Sequence, residues 1–191
     1  MNNLSYQPAI FLDRDGVIIE NCPDYVRSWE QVEIYPQAVR ALQRLAQLPY
    51  PLVIITNQSA VGRGLISRET ADQINARLLE ALHAAGARLA AVYLCPHAPQ
   101  DHCNCRKPQP GLLLQAAADL QLDLPNSWLV GDALTDLGAG RAAGVGRLAL
   151  LRTGRGAAQL ALPAAQGYQP FEVYADLWGF VKAEFDTNPS C

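Results

Sequence analysis

Two carboxylates placed two residues apart give the first chemical signal in this chain. Asp13 and Asp15 follow the short apolar stretch 9–12 directly. Ionised carboxylates held this close repel one another, so the arrangement is costly inside a protein unless a cation neutralises it. The pair alone fits two interpretations equally well, a metal-binding catalytic centre and a turn that carries two solvated acids.

Further polar groups follow later along the chain. A hydroxyl and an amide, which suit the binding of an oxyanion, lie after the apolar stretch 52–55, and two acids lie after 128–130. Each group alone is weak evidence, since threonine and asparagine are ordinary turn residues and a lysine is usually solvated. The groups are Thr56 with Asn57, Lys107, and Asp132 with Asp136.

The elements that must position these side chains are short strands. Near-continuous apolar stretches are typical of parallel strands that are covered on both faces. The polar groups described above lie just after such stretches, at the ends where the strands stop. The predicted strands span 9–12, 52–55, 89–94, 128–130 and 147–151.

Apolar residues at helical spacing separate the strands. The clearest helix has Ser67 as a plausible N-cap and Gly86 as its stop, and Pro110 fits the first turn of another. Strands alternating with helices predict a doubly wound α/β fold with a parallel sheet, in which ligands bind beyond the carboxyl ends of the strands. The helical stripes cover 39–45, 71–85, 112–120 and 174–181.

Taken in order, the polar motifs resemble the phosphatases of the haloacid dehalogenase superfamily over about residues 9–154. The resemblance implies a Rossmann-like fold and a magnesium-dependent phosphatase that forms a transient aspartyl-phosphate. It also implies that Asp13 binds magnesium and attacks the phosphate. Asp15 would bind the metal through its backbone carbonyl, protonate the leaving oxygen and then activate the hydrolytic water.

The later motifs complete this implied site. Asp132 would be a further magnesium ligand, with Asp136 either a ligand or a support behind the metal. Charge on the transferring phosphoryl group needs donors and a cation. By the resemblance, those groups are Thr56, Asn57 and Lys107.

Three cysteines and one histidine form a second cluster. Three thiolates and an imidazole fit a closed structural zinc site, which leaves no position for a catalytic water. Two surface turns that happen to carry thiols are the alternative, and His102 competes with the favoured histidine as the nitrogen ligand. Arg106 and Lys107 follow the last cysteine directly, so zinc would fix where both cations point. The predicted ligands are Cys95, His97, Cys103 and Cys105.

Zinc-loop phosphatases of this superfamily resemble two groups with different substrates. One removes the 7-phosphate of D-glycero-D-manno-heptose 1,7-bisphosphate, on the way to nucleotide-activated heptose for cell-surface glycans such as lipopolysaccharide. The other hydrolyses histidinol phosphate. The loop 56–64 is similar to the heptose group through its Ser and Arg-Gly, and 105–112 through its Pro-Gly pair. The residues expected to contact such a phosphorylated sugar are Gln58, Ser59, Arg63 and Arg106.

Some features leave alternatives open. The short spacer 98–102 inside the zinc loop is also typical of histidinol phosphatases, and Arg63 could be a solvated loop residue. Ala60 and Ala133 depart from the glycine and the lysine found in parts of the heptose group, which leaves the anomer preference open. A catalytically dead zinc-stabilised module is the remaining hypothesis, although such a protein would usually have lost an acid and none is missing.

Bulk properties agree with a small enzyme. The 191 residues carry a net charge of −3, which argues against a nucleic-acid-binding protein. No apolar stretch approaches a membrane span and no signal peptide is evident, so we expect a cytoplasmic protein. The excess of acidic residues and the lack of a long exposed apolar pattern favour a monomer. No insertion suits a cap domain. One phosphatase domain over 1–191 is predicted, with its core at 9–154, the zinc loop at 95–105 and a C-terminal tail and helix at 155–191. The sequence assigns no function to this tail or to Cys22.

Overall fold

A six-stranded parallel sheet organises the chain in a computed structural model that describes residues 6–186. The strand order is β3-β2-β1-β4-β5-β6, so β1 is central and neighbours β2 and β4. Residues 1–5 and 187–191, including Cys191, lie outside the described residues. The strands are β1 (Ile10–Leu12), β2 (Leu52–Asn57), β3 (Leu89–Cys95), β4 (Trp128–Gly131), β5 (Arg147–Leu151) and β6 (Glu172–Tyr174).

Helices connect successive strands and lie on both faces of the sheet. The predicted N-cap Ser67 is confirmed, since its hydroxyl accepts a hydrogen bond from the Thr70 backbone amide. Gly86 follows the end of the same helix with φ +91°, a conformation that suits glycine. The helices are α1 (Pro36–Leu45), α2 (Ser59–Gly62), α3 (Arg68–Ala84), α4 (Gly111–Leu120), α5 (Leu134–Ala143), α6 (Gly156–Leu160) and α7 (Leu177–Phe185).

Strand residues alternate between two hydrophobic cores because successive side chains point to opposite faces of a sheet. Ile10 and Leu12 pack into a core with α1, α3 and α7, whereas Phe11 packs into a core with α4 and α5. Both cores are closed to solvent, which explains why the central strands β1 and β4 are apolar and buried at every position. The predicted doubly wound α/β fold is therefore confirmed.

The segment after residue 154 continues this fold. Strand β6 adds an edge to the sheet beside β5, and α7 packs against α1. The prediction of a helical stripe over 174–181 was wrong at its start, because Tyr174 ends β6 and the helix begins at Leu177. Strand β6 was missed because its three residues are partly exposed and lack a continuous apolar pattern.

Two negative features concern the described residues alone. Among residues 6–186, no helix has both the length and the apolar character needed to cross a bilayer. In the same range, the connection from β1 to α1 contains a single short 3-10 turn, Trp29–Gln31, and no separate cap domain. The carboxyl edge of the central strands is consequently covered by loops.

Helix α7 should contribute a large share of stability through Phe180. This ring is fully buried and packs edge-to-face on Trp128, Tyr174 and Phe185. We expect Phe180→Ala to lower the free energy of unfolding by about 3–5 kcal/mol, because it removes a buried aromatic ring and leaves a cavity. Chemical denaturation measures this, with the half-exposed Leu114→Ala as the matched control. Equal effects of the two substitutions would contradict the assignment of α7 to the core.

Candidate active site

Three neighbouring strands deliver the polar groups to one edge of the sheet. Asp13 follows β1 directly, Thr56 is the second-last residue of β2, and Asp132 follows β4 directly. The Asp13 backbone amide donates to the Val130 carbonyl at 2.9 Å, which extends the β1–β4 pairing to Asp13. The parallel sheet therefore brings together residues that are far apart in sequence.

A buried lysine joins the acidic residues. The Lys107 ammonium donates to Asp13 Oδ1 at 2.8 Å and to Asp136 Oδ1 at 2.7 Å. Its third bond goes to the Ile55 carbonyl at 2.8 Å, which uses all three of its donors. Carboxylate oxygens of Asp13, Asp132 and Asp136 lie within 4.8 Å of one another. One ammonium thus stands among three carboxylates, which leaves negative charge for a further cation.

The pKa values reflect this excess. Burial raises the pKa of Asp13 to about 6, against the opposing charge of Lys107. Burial and the Asp13 charge also raise the pKa of Asp132, and Arg155 opposes them. For Lys107, burial alone would lower the pKa, but Asp13 and Asp136 outweigh it and raise the pKa. The lysine is therefore charged, whereas the surroundings of Asp13 and Asp132 disfavour the ionised form of these two carboxyls.

Backbone donors hold two of the acids in place. Asp136 Oδ2 accepts from the backbone amides of Asp132 at 3.1 Å and Ala133 at 3.0 Å. Asp132 Oδ2 accepts from the Arg155 backbone amide at 2.8 Å, and the Arg155 guanidinium reaches Asp132 Oδ1 at 3.2 Å. Gly16, at φ +83°, passes so close that a Cβ there would fall 2.2 Å from Asp132 Oδ2. A side chain at position 16 would displace the acid.

Asp15 lies apart from the acidic cluster and is bound by other groups. The Arg14 guanidinium donates to both of its carboxylate oxygens at 3.0 Å. Gln58 Nε2 donates to Asp15 Oδ2 at 3.2 Å and to Thr56 Oγ1 at 2.7 Å. The far side of Arg14 is held by Asn75 Oδ1 at 2.7 Å. The structure therefore links Asp15 to Thr56 through Gln58.

The zinc-loop residues are also brought together. Cys105 Sγ lies 3.1 Å from Cys95 Sγ and 3.4 Å from Cys103 Sγ, and His97 Nδ1 lies 3.3 Å from Cys105 Sγ. In tetrahedral zinc sites with Zn–S bonds of about 2.3 Å, sulfurs lie about 3.8 Å apart. His102 is exposed and is not part of this Cys/His cluster. The geometry is that of a metal-binding cluster.

The zinc loop is attached to the loop after β2. The Asn57 side chain makes two hydrogen bonds with the Lys107 backbone, at 3.1 and 3.2 Å. Arg106 donates to Ser59 Oγ at 2.5 Å and to the His97 carbonyl at 3.2 Å. Arg63 remains exposed, with its guanidinium 5.9 Å from the Tyr25 ring. Sequence-predicted residues therefore cluster at this edge, while Arg63 stands outside the acidic cluster.

The chain has well-matched relatives. A HAD-hydrolase-like family model matches residues 104–180. A D-glycero-beta-D-manno-heptose-1,7-bisphosphate 7-phosphatase from Pseudomonas aeruginosa is 36% identical, over 85% of this chain and 91% of the relative. The chain belongs to the haloacid dehalogenase-like phosphatases. A probable D-glycero-D-manno-heptose-1,7-bisphosphate 7-phosphatase from Thermoplasma volcanium is 40% identical, over 65% of this chain and 84% of the relative.

A solved structure of the same family is also similar. The D,D-heptose 1,7-bisphosphate phosphatase from B. bronchiseptica, complexed with magnesium and phosphate, superimposes with a TM-score of 0.87. It is 35% identical, and the match covers 95% of this chain and all of the other. The family resemblance inferred from the motifs is confirmed.

The active-site cleft of this phosphatase is open and polar. Its volume is about 320 Å³, and its walls combine the acidic cluster with the segment 21–26 and the loop after β2. Cys22 and Tyr25 lie in that wall, so the segment that follows Asp13 and Asp15 borders the cleft. A cleft of this volume has room for a small molecule beside Asp13.

Sequence reasoning missed three charged or polar residues of the phosphatase site. Arg14 stands between the two acids and its side chain is 1% exposed, although nothing in the motif shows that it turns inward. Asn75 comes from α3, and Arg155 comes from the loop after β5. The inward orientation of Arg14, like the positions of the other two residues, depends on the tertiary fold.

The raised pKa of Asp13 predicts an unusual stability pattern in chelator. Folding favours the protonated carboxyl, so this contribution to the free energy of unfolding is fully present below the ordinary pKa of 3.8, falls as the pH rises to about 6 and stays lost above that. In EDTA at pH 8, Asp13→Asn should therefore be more stable than the wild type by about 1–3 kcal/mol, and this difference should vanish towards pH 4. Denaturant unfolding across pH measures it, with the exposed Asp72→Asn as control. A less stable Asp13→Asn at pH 8 would refute the interpretation.

Proposed function

We propose that this protein hydrolyses the 7-phosphate of D-glycero-D-manno-heptose 1,7-bisphosphate through an aspartyl-phosphate on Asp13, in the formation of nucleotide-activated heptose. The observation that carries the chemistry is the buried contact of Lys107 with Asp13 at the end of β1. The substrate is supported by the heptose-bisphosphate phosphatases described above, which match most of the chain. Those relatives favour the heptose substrate over histidinol phosphate.

The reaction follows from the positions of two acids. In the first step, an Asp13 oxygen forms a bond to phosphorus, and the bond to the leaving oxygen breaks with its electron pair on that oxygen. The Asp15 carboxyl donates the proton that this oxygen needs. In the second step, water attacks phosphorus and gives its proton to the Asp15 carboxylate. The bond from phosphorus to Asp13 then breaks, which releases inorganic phosphate and restores the nucleophile.

The acidic cluster fits a magnesium ion, which prefers oxygen ligands. Asp13 and Asp132 would bind it with their carboxylates, and Asp15 with its backbone carbonyl. Both oxygens of Asp136 are engaged by the buried Lys107 and two backbone amides, so Asp136 supports the site from behind. Asp132 Oδ1 is engaged by the half-exposed Arg155 guanidinium, which can move away to free this oxygen for the metal. When bound, magnesium neutralises phosphate charge and lets a carboxylate approach the dianion.

The remaining polar groups would hold the two ends of the substrate. Thr56 and Lys107 offset the charge of the transferring phosphoryl group, and Asn57 keeps the Lys107 backbone in place. Arg106 and Ser59 are hydrogen-bonded to one another beside the cleft. A guanidinium can grip a phosphate or sugar hydroxyls with two bonds, so Arg106 would hold the part of the substrate that is not cleaved.

Gln58 and Arg63 complete the predicted contacts. Gln58 lines the cleft and is hydrogen-bonded to Thr56, so we place it behind the phosphoryl group. Arg63 lies at the exposed end of α2, from which its long side chain would meet the sugar rather than the reacting phosphate.

We also propose that the Cys/His cluster binds zinc in a structural role. Its four ligand atoms lie within 4.8 Å of one another, and four protein ligands close a tetrahedral site. Hydrogen bonds outweigh burial and lower the pKa of Cys103 to about 7, which favours a thiolate at neutral pH. The cluster ends where Arg106 and Lys107 begin, so zinc would fix both cations at the cleft.

A substrate panel tests the proposed reaction. With magnesium, the enzyme should hydrolyse heptose 1,7-bisphosphate, in either anomer, with a kcat/KM at least about 100-fold above those for histidinol phosphate and fructose 1,6-bisphosphate, because only the heptose matches the site of the relatives. Asp13→Asn should abolish turnover while the protein stays folded. Preference for histidinol phosphate would overturn the substrate, and inactivity towards every ester would overturn the reaction.

Metal analysis tests the zinc proposal. We expect one zinc per chain in the wild type and none in Cys103→Ser, with a loss of several kcal/mol in the free energy of unfolding, about the scale of structural zinc sites after allowance for residual ligands. Elemental analysis and thermal unfolding give both values. Cys22→Ser is the matched control, because Cys22 lies outside the cluster. Zinc-free wild-type protein that is fully stable would refute the proposal.

A further inference from the structure

A buried arginine binds the residue that must transfer protons. Arg14 is 1% exposed, whereas the Asp15 carboxylate is 21% exposed at the wall of the cleft. The guanidinium donates from Nε to one Asp15 oxygen and from a terminal nitrogen to the other, both at 3.0 Å. This two-point contact fixes the plane of the carboxylate as well as its position.

The other contacts of Arg14 lead into the protein. Its terminal nitrogens donate to Gln58 Oε1 at 3.0 Å and to Asn75 Oδ1 at 2.7 Å. Among the described residues, Asn75 Nδ2 is buried without a hydrogen-bond partner. An unpaired buried donor is unfavourable. The hydrogen bond from Arg14 to the side-chain oxygen of Asn75 offsets this cost.

Gln58 closes the network on the phosphoryl side. Its oxygen accepts from Arg14, and its amide nitrogen donates both to Asp15 Oδ2 and to Thr56 Oγ1. The orientation of the Asp15 carboxylate is thereby tied to the hydroxyl that would hold the phosphoryl group. The buried Arg14 guanidinium makes four hydrogen bonds and therefore has little freedom to move. Because two of these bonds go to Asp15, they also restrict the orientation of its exposed carboxylate.

We propose that Arg14, acting with Gln58, is a positioning residue that holds the Asp15 carboxyl group in register with the phosphoryl site, so that proton transfer to the leaving oxygen depends on it. This inference rests on the proposed function for the identity of the proton donor. Arg14 touches neither the reacting phosphate nor the leaving group. Its effect is confined to steps in which Asp15 must meet a proton acceptor or donor at a defined place.

The dependence on the leaving group separates positioning from general damage. A sugar alkoxide leaves poorly without a proton, whereas 4-nitrophenolate leaves readily. In Arg14→Gln, kcat/KM should fall at least about tenfold more for the heptose bisphosphate than for 4-nitrophenyl phosphate. Arg14→Lys, which keeps the charge but not the two-point contact, should recover only part of that difference. Equal losses with both esters would overturn the proposal.

Asn75→Ala is the graded comparison, because it removes one of the four Arg14 bonds and leaves both Arg14–Asp15 bonds in place. It should shift the ratio of the two kcat/KM values in the same direction as Arg14→Gln but by much less, even if its melting temperature falls. If Arg14→Gln does not fold, Gln58→Met should shift the ratio in the same direction through loss of its bond to Asp15. A larger shift in Asn75→Ala than in Arg14→Gln, or, where Arg14→Gln does not fold, an unchanged ratio in Gln58→Met, would refute the positioning role.

A crystal structure of Arg14→Gln provides a test that needs no turnover. The Asp15 carboxylate should occupy a new orientation or several, while Asp13 and Lys107 keep their contact. An Asp15 in its present orientation would overturn the inference whatever the substrate is. If the wild type hydrolyses 4-nitrophenyl phosphate and glycerol 3-phosphate but not the heptose, the proposed substrate fails, and the same ratio measured with those two esters still decides the role of Arg14.

Discussion

A lysine ammonium shared between two buried carboxylates is the interaction on which the rest of this site depends. Lys107 cancels part of the charge on Asp13 and Asp136, and the Ile55 carbonyl takes its third bond. A buried charge without a partner is very costly, so loss of Lys107 would leave two buried carboxylates unpaired, whereas neutralising Asp13 still leaves Asp136 as the partner of the lysine. The residual negative charge makes the cluster suitable for a divalent cation, and Asp13 lines the cleft, as the proposed nucleophile must.

The position of this lysine is imposed from two directions. The Cys/His cluster ends at Cys105, two residues before it, and Asn57 binds its backbone from the end of β2. Close packing also holds the Cys/His cluster in place, because Gly111 lies so near it that a Cβ there would fall 2.3 Å from the Asn104 carbonyl. These contacts position Lys107 at the cleft with a small loop alone. No cap domain is present within residues 6–186.

Much of this arrangement could be predicted from the sequence, and the limits are physical. Five strands were predicted from continuous apolar stretches, because a sheet covered on both faces leaves no polar alternation. Strand β6 was not predicted, since a three-residue strand at the exposed edge of the sheet has no continuous apolar stretch. The convergence of Asp13 with Asp132 followed from parallel topology. The inward orientation of Arg14 could not be predicted, because its acceptors Gln58 and Asn75 come close to it only after α3 packs on the sheet.

The central claim is that Asp13 becomes covalently phosphorylated, and its most direct test is chemical trapping of that residue. Enzyme quenched in acid during turnover should be reduced with borohydride, which converts an aspartyl-phosphate into homoserine. Peptide mass spectrometry should then find homoserine at position 13 in the presence of substrate and nowhere without it. Unmodified Asp13 in a sample that is turning over, or homoserine at Asp15, Asp132 or Asp136 instead, would contradict the account.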